Sequence, residues 1–351
     1  MSKQKKEEKR IKIQTIIKAF LILLIAYIVS TGAFLYFFPE TENRIVRATA
    51  SIIPYPSVIS NSVFITTERL QNQLAGAKKF YEGQDFSQIG MRVDFGTEDG
   101  KKRLLIKEKN ILNKLIDDAI IEKEAKKKSI IISQDLIDQE VDRKMKEYGT
   151  GDYLKNNLEK LYGWNVNDFK KNIVKPDLYQ EKVFADMRKS DASLEEARKK
   201  INQAKNDISG GMSFSDAAKK YSQGESAKNG GALGWFSANQ MLPEVASVIF
   251  NLEKNKQSDI IESAIGFHII LVEDKKNQDG QDMMKISQIF VPTKTFAQWL
   301  SETKKDYRIF IPIRKFIWNN ETGEVEFRDK SLREYENDLL ENPINDPSII
   351  F

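Results

Sequence analysis

The first feature of the hydropathy pattern is an uncharged, mostly apolar run from Ala19 to Phe38. Twenty residues make about 30 Å of helix, which matches the hydrocarbon thickness of a bilayer. A cleaved signal peptide has a similar pattern, but this run is longer than a typical signal core and no clear small-x-small cleavage site follows it. Because the cluster of basic residues from Lys3 to Lys18 precedes the run, we expect residues 19–38 to span the membrane once. The N-terminal residues 1–18 would then lie in the cytoplasm, and the chain from Pro39 onward would lie outside.

After a linker with a short strand near Val63–Ile65, apolar residues recur every three or four positions, as in an amphipathic helix. The clearest example is the group Ile111, Leu112, Leu115, Ile116, Ala119 and Ile120. Further helices are predicted after Ser133, over Gly151–Tyr162 and over 167–189, where Pro176 is a candidate kink. Since amphipathic helices bury their apolar faces against one another, residues 39–189 are predicted to form a helical bundle.

From residue 190 the pattern becomes mixed. A capping box at Ser193 and Glu196 predicts the start of one helix, and Ser213 that of a second. A glycine-rich loop, a short helix beginning near Pro243 and two strands, 258–262 and 267–272, follow. Helices followed by paired strands predict a compact α+β domain over residues 190–277. Residues 278–351 are predicted to be an extension that contains further strands and one helix near 296–304.

Composition narrows the chemistry. The 351 residues include 55 basic and 51 acidic side chains, a net charge of +4, which gives no basic field of the size that nucleic acids need. Cysteine is absent and histidine occurs once. A disulfide framework and a thiolate nucleophile are therefore excluded, and we expect neither a metal nor another cofactor.

The string from Phe214 to Asp274 resembles the parvulin-type peptidyl-prolyl isomerases. It has, in the family's order, a helix, the loop "GGALG", the helix start "MLPEV" and the strand "GFHII". Upstream, "ILNKLIDDAIIEKEAKKKSIIISQDLIDQEVDRKM" is similar to the helical chaperone region of the SurA, PrsA and PpiD group. The resemblance implies an α+β chain with an N-terminal transmembrane helix, a SurA-like helical bundle and a parvulin-like domain, an antiparallel sheet with flanking helices.

The resemblance also implies a proline pocket. Leu233, Met241 and Val245 match the positions that contact the proline ring, with Phe250 beneath them. Flexible or branched apolar walls suit a pyrrolidine ring. By spacing alone, Met241 and Val245 could equally be ordinary core residues on one side of a helix.

The polar part of the site departs from the family pattern. His268 matches the second of two family histidines, although a strand histidine bonded to a neighbour would have the same sequence context. The family's loop Asp or Cys falls at Gly224, so that Glu225 and Ser226 are the nearest polar replacements. The first histidine has no counterpart at the start of the domain.

A strand like the one that carries the first histidine occurs later, as "KISQIFV" at 285–291. If this segment folds back as the missing central strand, Gln288 takes the place of the first histidine in a circularly rearranged domain. The alternative is an independent C-terminal strand. The pattern leaves both open.

We therefore expect a membrane-anchored, extracytoplasmic folding factor that isomerises X-Pro bonds in newly exported, unfolded polypeptides. The candidate polar residues are His268, Gln288, Glu225 and Ser226. Loss of the first histidine and of the loop acid leaves an alternative, a catalytically weak or inactive holdase with a parvulin fold that only binds unfolded chains. The sequence predicts no oligomeric state.

Overall fold

The computed structural model describes residues 13–38, 41, 43–84, 93–148 and 151–341. The chain forms two compact units. Unit 1 combines residues 1–181 with residues 303–351, and unit 2 comprises residues 182–302. Unit 2 is therefore inserted, in sequence, between the two segments of unit 1.

Unit 1 begins with the apolar helix α1 (Ile13–Phe37), which is long and apolar enough to cross a membrane. The first segment continues with α2 (Arg44–Ile52), β1 (Pro56–Ile59), β2 (Phe64–Thr66), α3 (Thr67–Gly83), α4 (Glu98–Lys127), α5 (Gln134–Tyr148), α6 (Gly151–Asn157), α7 (Val166–Phe169) and α8 (Lys175–Ser190). Of these, α8 extends into unit 2. The predicted helical bundle and the cap at Ser133, whose Oγ accepts the Leu136 amide proton at 3.2 Å, are confirmed. Residue 149, predicted to end that helix, lies outside the described residues.

The helix predicted over 167–189 is continuous from 166 to 190, as α7, a π-helical turn at Lys170–Val174 and α8, in which Pro176 is the second residue. A proline inside a helix has no amide proton for the bond to the preceding turn, and the π-helical turn directly before Pro176 is a local irregularity of the kind that such a site favours.

Unit 2 contains α9 (Ala192–Ser209), α10 (Phe214–Tyr221), β3 (Ala232–Ser237), α11 (Pro243–Ile249), β4 (Lys256–Gln257), β5 (Ile261–Ser263), β6 (Gly266–Gln278), β7 (Gln281–Pro292) and most of α12 (Phe296–Lys304). The N-cap of α9 is Asp191, whose Oδ1 accepts the Ser193 amide proton at 2.9 Å, so the predicted cap at Ser193 is wrong by two residues.

The sheet of unit 2 is antiparallel, with strand order β3-β7-β6-β4, and β5 pairs with β6. Residues 281–292 thus lie between β3 and β6. β6 and β7 form one hairpin through residue 277, where sequence analysis placed a boundary. The turn is Asp279-Gly280, and both residues have positive φ, as a two-residue hairpin turn requires.

Each face of this sheet carries its own apolar cluster. On one face, Phe267, Ile269, Ile289 and Val291 pack with α9 and α10. On the other face, Ile270, Val272, Met284 and Ile286 pack with Val245 and Ile249 of α11. Because both faces are covered there, β6 is apolar from Phe267 to Val272 at every position except His268.

The second segment of unit 1 contains β8 (Phe316–Asn319), β9 (Glu324–Phe327) and α13 (Lys330–Glu341). β8 pairs with β9, and the Val325 amide donates to Oδ1 of Asn113 on α4 at 2.7 Å. Among the further strands of residues 278–351, the string "YRIFIPIRKFIW" at 307–318 predicts one strand, but the strand that forms there is the shorter β8. Near Phe310 only one bridge, to Ile59, is formed, because Pro312 has no amide proton to continue a ladder.

Candidate functional site

The two sheet faces determine which side chains meet at the candidate site. Side chains alternate along a strand, and Ile270 and Val272 face α11, so His268 lies on that same face. On β7, Gln288 and Phe290 share the face of Met284 and Ile286. His268 is paired directly with Phe290, and Ile270 with Gln288. His268 and Gln288 are therefore diagonal neighbours, a relation that typically separates residues by roughly 7–8 Å.

His268 is buried, with 3% of its surface exposed. Its Nε2 lies 2.7 Å from Ser263 Oγ, and its ring stacks on Phe290 with centroids 4.8 Å apart. Nδ1 is buried and has no hydrogen-bond partner among the described residues. The imidazole is thus held in a fixed orientation by one hydroxyl and one ring, beneath the surface rather than at a rim.

Burial also sets the charge of this imidazole. It lowers the pKa of His268 to about 4, and the carboxylate of Glu244 opposes that shift only in part. The ring is therefore neutral near pH 7. A neutral imidazole has one donor and one acceptor nitrogen, so it can orient a peptide group by hydrogen bonding without carrying a charge.

The predicted apolar residues lie at different depths. Val245 is only 6% exposed and belongs to the cluster beneath the sheet face, where Met241 and Phe250 pack as half-buried members. Leu233 is 39% exposed and lies in a bulge of β3, between Ala232 and Gly234, where it has no register partner. Val245, Met241 and Phe250 thus share one cluster, and Leu233 does not belong to it.

The glycine loop approaches β7 at its backbone. Gly231 has φ +87°, its carbonyl accepts the Gln288 amide proton at 2.8 Å, and a Cβ placed there would lie 2.5 Å from the Gln288 carbonyl oxygen. Only glycine fits this combination of dihedral angle and close approach. The loop thereby fixes the backbone of Gln288, whose side chain is half-buried.

Glu225 and Ser226 belong to a 3₁₀ turn, Glu225–Asn229, at the start of this loop. Glu225 is exposed and Ser226 is half-buried, and the Ser226 carbonyl accepts the Gly231 amide proton at 2.9 Å. Ser226 therefore supports the loop through its backbone. Among the described residues, neither side chain is hydrogen bonded to His268.

Gly224, the position of the family's loop acid, lies beside the ring that covers the histidine. A Cβ added to Gly224 would lie 3.7 Å from Cβ of Phe290 and 3.8 Å from Ser222 Oγ, which are ordinary contact distances. Its φ of −76° is open to any residue. The absence of a side chain here therefore does not reflect a backbone requirement.

Sequence reasoning missed three residues of the site, Ser263, Phe290 and Glu244. Ser263 and His268 could have been connected in advance, because a strand, a tight turn at Gly266 and a second strand place residues five apart on one face. The contribution of Phe290 depends on the β6–β7 pairing, which the sequence left open.

Within the described residues, no group of three or more His, Asp or Glu side chains could hold a metal ion.

Comparison with known proteins assigns unit 2 to a family. Residues 181–274 match the rotamase family, PPIC-type PPIase domain. The chain is 30% identical over 198 residues to the foldase protein PrsA of Geobacillus kaustophilus, covering 50% of this chain and 66% of the relative. It is 29% identical over 196 residues to PrsA of Bacillus subtilis, covering 50% and 63%. It is 37% identical over 84 residues to the chaperone SurA of Chromobacterium violaceum, covering 24% and 20%.

This chain therefore contains a PPIC-type rotamase domain, a parvulin domain, and its relatives include the PrsA foldases and SurA chaperones. It spans just under two thirds of the two PrsA relatives and a fifth of the SurA relative. The matched range ends at residue 274, before β7, although β7 is a central strand of the sheet.

Proposed function

We propose that this protein is a membrane-anchored folding factor whose parvulin domain catalyses the cis–trans isomerisation of X-Pro bonds in exported, unfolded polypeptides. The observation that carries the proposal is the position of His268, the chain's single imidazole. It lies on the sheet face that also carries Gln288 and packs against Val245 of α11, within the range that matches the PPIC-type family.

The chemistry needs no nucleophile and no cofactor. Rotation about an amide bond crosses a barrier of about 18–20 kcal/mol, because twisting removes the resonance of the amide. A site accelerates the rotation when it binds the twisted amide more tightly than either planar form. Leu233, Met241 and Val245 would hold the proline ring, with Phe250 supporting them, and would remove water from the bond.

Of the polar residues, Gln288 would act on the carbonyl group that twists, because its amide can donate to the carbonyl oxygen. The neutral His268 is buried beneath the same sheet face and would orient the site from below. Ser263 is a positioning residue, because its hydroxyl fixes the ring through Nε2. Glu225 and Ser226, at the start of the glycine loop, would contact the peptide beyond the proline.

We place the protein at the cell membrane. The helix α1 supplies the length and apolarity of a single span, and the basic residues on its N-terminal side favour a cytoplasmic N-terminus. Both units would then lie outside the cytoplasm, where polypeptides arrive unfolded after export.

A protease-free assay with proline tetrapeptides tests the proposal, using the full chain in detergent micelles. We expect isomerisation faster than the uncatalysed rate, and a decrease of about tenfold in kcat/KM for Leu233→Gln, since one lost apolar wall contact costs about 1–2 kcal/mol. Leu233 is already partly exposed, so the variant should fold. Ile131→Gln, at an exposed position of unit 1, is the matched control and should leave the rate unchanged. A wild-type rate equal to the uncatalysed rate would refute the proposal.

A further inference from the structure

The strand whose hydroxyl holds the imidazole is short. β5 has three residues, Ile261–Ser263, and among the strands that the structure describes it pairs only with β6. Its last residue, Ser263, carries the hydroxyl that lies 2.7 Å from Nε2 of His268. Because so short a strand has few ladder hydrogen bonds, the place of this hydroxyl depends on what else contacts β5.

Arg188, near the C-terminal end of α8, contacts β5 both at its backbone and at a side chain. Its Nη1 donates to the Ser263 carbonyl oxygen at 3.2 Å, and its Nη2 donates to Oε1 of Glu262. The side chain is only 16% exposed, and the guanidinium lies over the Phe184 ring, 5.6 Å from the centroid. The aromatic ring thus supports a planar fork whose two N–H groups bind two neighbouring residues of one strand.

The two sides of β5 separate this anchor from the imidazole. Side chains alternate along a strand, so Glu262, which is paired with Phe267, lies on the sheet face that α9 covers, and Ser263 lies on the opposite face. Arg198 of α9 also binds the carboxylate, from its Nη2 to Oε2 at 2.9 Å. Two arginines therefore hold the same carboxylate, and of the two Arg188 also binds the Ser263 carbonyl.

We propose that Arg188 is a positioning residue of the isomerase site. It holds the Ser263 carbonyl from α8 and so keeps the hydroxyl of the same residue at hydrogen-bond distance from Nε2 of His268. A functional group has to be held within about 0.5 Å of its productive geometry, and hydrogen bonds weaken steeply when they are misaligned. The proposal rests on the proposed isomerase function, since it concerns the orientation of the imidazole in that site.

Turnover, rather than peptide binding, should depend on this contact. The residues proposed to hold the proline ring, Leu233, Met241 and Val245, lie outside β5. Loss of the contact leaves them in place and disturbs the imidazole. A variant that lacks the contact should therefore have a lower kcat and a nearly unchanged KM.

Arg188→Lys separates the positive charge from the second contact. A lysine keeps an ion pair with Glu262, but its compact ammonium lacks the fork that reaches the carboxylate and the carbonyl together. Arg188→Met removes both contacts and keeps an apolar stem beside Phe184. Arg198→Lys is the matched control, because the single bond from that side chain to the carboxylate can be made by a lysine.

The imidazole itself supplies the decisive signal. In the full chain with isotope-labelled histidine in micelles, every imidazole signal belongs to His268, and the shifts of its two nitrogens report the tautomer and the bond at Nε2. We expect both nitrogen signals to move in Arg188→Lys and in Arg188→Met. We also expect kcat for a proline tetrapeptide to fall by about tenfold, which corresponds to about one hydrogen bond. Arg198→Lys should change neither quantity.

The outcomes separate positioning from a general structural role and from the isomerase function. Unchanged imidazole signals in both Arg188 variants would overturn the proposal, even if the rate falls. Changes of equal size in Arg198→Lys would assign the effect to the ion pairs of Glu262 and would also overturn it. A wild-type rate equal to the uncatalysed rate would remove the isomerase function, and the imidazole signals would still decide whether Arg188 holds the ring.

Discussion

At the scale of single residues, the site depends on one buried imidazole. His268 is bonded to Ser263, stacked on Phe290 and neutral because burial lowers its pKa to about 4. The motif "GFHII" predicted that a histidine would lie on a strand. Its depth and partners could not be predicted, because they depend on the register of β5 and β7 against β6.

The lowered pKa makes the stability of unit 2 depend on pH. An unfolded histidine has a pKa near 6.5, so between about pH 6.5 and 4 the unfolded chain binds the proton more readily than the folded one. Stability should therefore fall as the pH falls through this window, by up to about 3 kcal/mol at pH 4. The measurement is the urea dependence of amide-exchange protection in β6 and β7. The His268→Gln variant should not show this decrease in stability between pH 6.5 and 4. If the stability of the variant and of the wild-type protein depends on pH to the same extent, the low pKa of His268 is contradicted.

The departures from the family pattern can be reversed. Gly224→Asp with Gln288→His supplies the missing loop acid and first histidine, and a Cβ at Gly224 meets only ordinary contacts. We expect kcat/KM for the tetrapeptide to rise by about tenfold, equivalent to about one additional hydrogen bond in the twisted state. The same pair in a His268→Gln background should give no gain. A gain there of equal size would show that His268 takes no part.

At the scale of elements, the fold of unit 2 follows from hairpin β6–β7 and from the glycine loop that β7 contacts. Sequence reasoning predicted the two strands and the glycine loop but not the hairpin, because it placed a boundary at residue 277 and left the position of 285–291 open between two arrangements. Helical and strand periodicity report which residues are buried. They do not report which strand lies beside which, because that choice depends on contacts distant in sequence.

The contact of Gly231 with Gln288 predicts that a side chain at position 231 lowers the free energy of unfolding of unit 2. Gly231→Ala combines a positive φ with a Cβ 2.5 Å from the Gln288 carbonyl oxygen and should destabilise unit 2 by about 3 kcal/mol or more. Gly234→Ala is the matched control, because its φ is +96° and no atom lies within 4 Å of the added Cβ. Gly234→Ala should lower the free energy of unfolding by about 1–2 kcal/mol. The urea midpoints of the two variants measure these losses, and equal losses would argue against the close approach of residue 231 to Gln288.

At the scale of the whole molecule, unit 2 is inserted into unit 1, which is completed by residues 303–351. The sequence predicted strands in the C-terminal segment but not that this segment belongs to unit 1. Lys304 shows why unit 1 needs this segment. It is buried and forms ion pairs with Asp117 of α4, at 2.9 Å, and with Glu324. The Coulombic attraction of these carboxylates raises its pKa against the opposing effect of burial.

Lys304→Met should therefore destabilise unit 1 by about 3 kcal/mol, because it leaves Asp117 partly buried without its cation. Loss of amide-exchange protection in α4 measures the effect. Lys305→Met removes the same charge from the next, exposed position and should have little effect. If the two variants lose equal protection, residues 303–351 do not complete unit 1 as described.

The central claim is that a prolyl ring binds on the sheet face beside the chain's single histidine. The most direct measurement is the NMR spectrum of the full chain in micelles with isotope-labelled histidine, because every imidazole signal then belongs to His268. The account predicts that a tetrapeptide with an X-Pro bond shifts these signals saturably, and that the same peptide with alanine in place of proline does not. Signals that stay fixed, or that shift equally with both peptides, would contradict it.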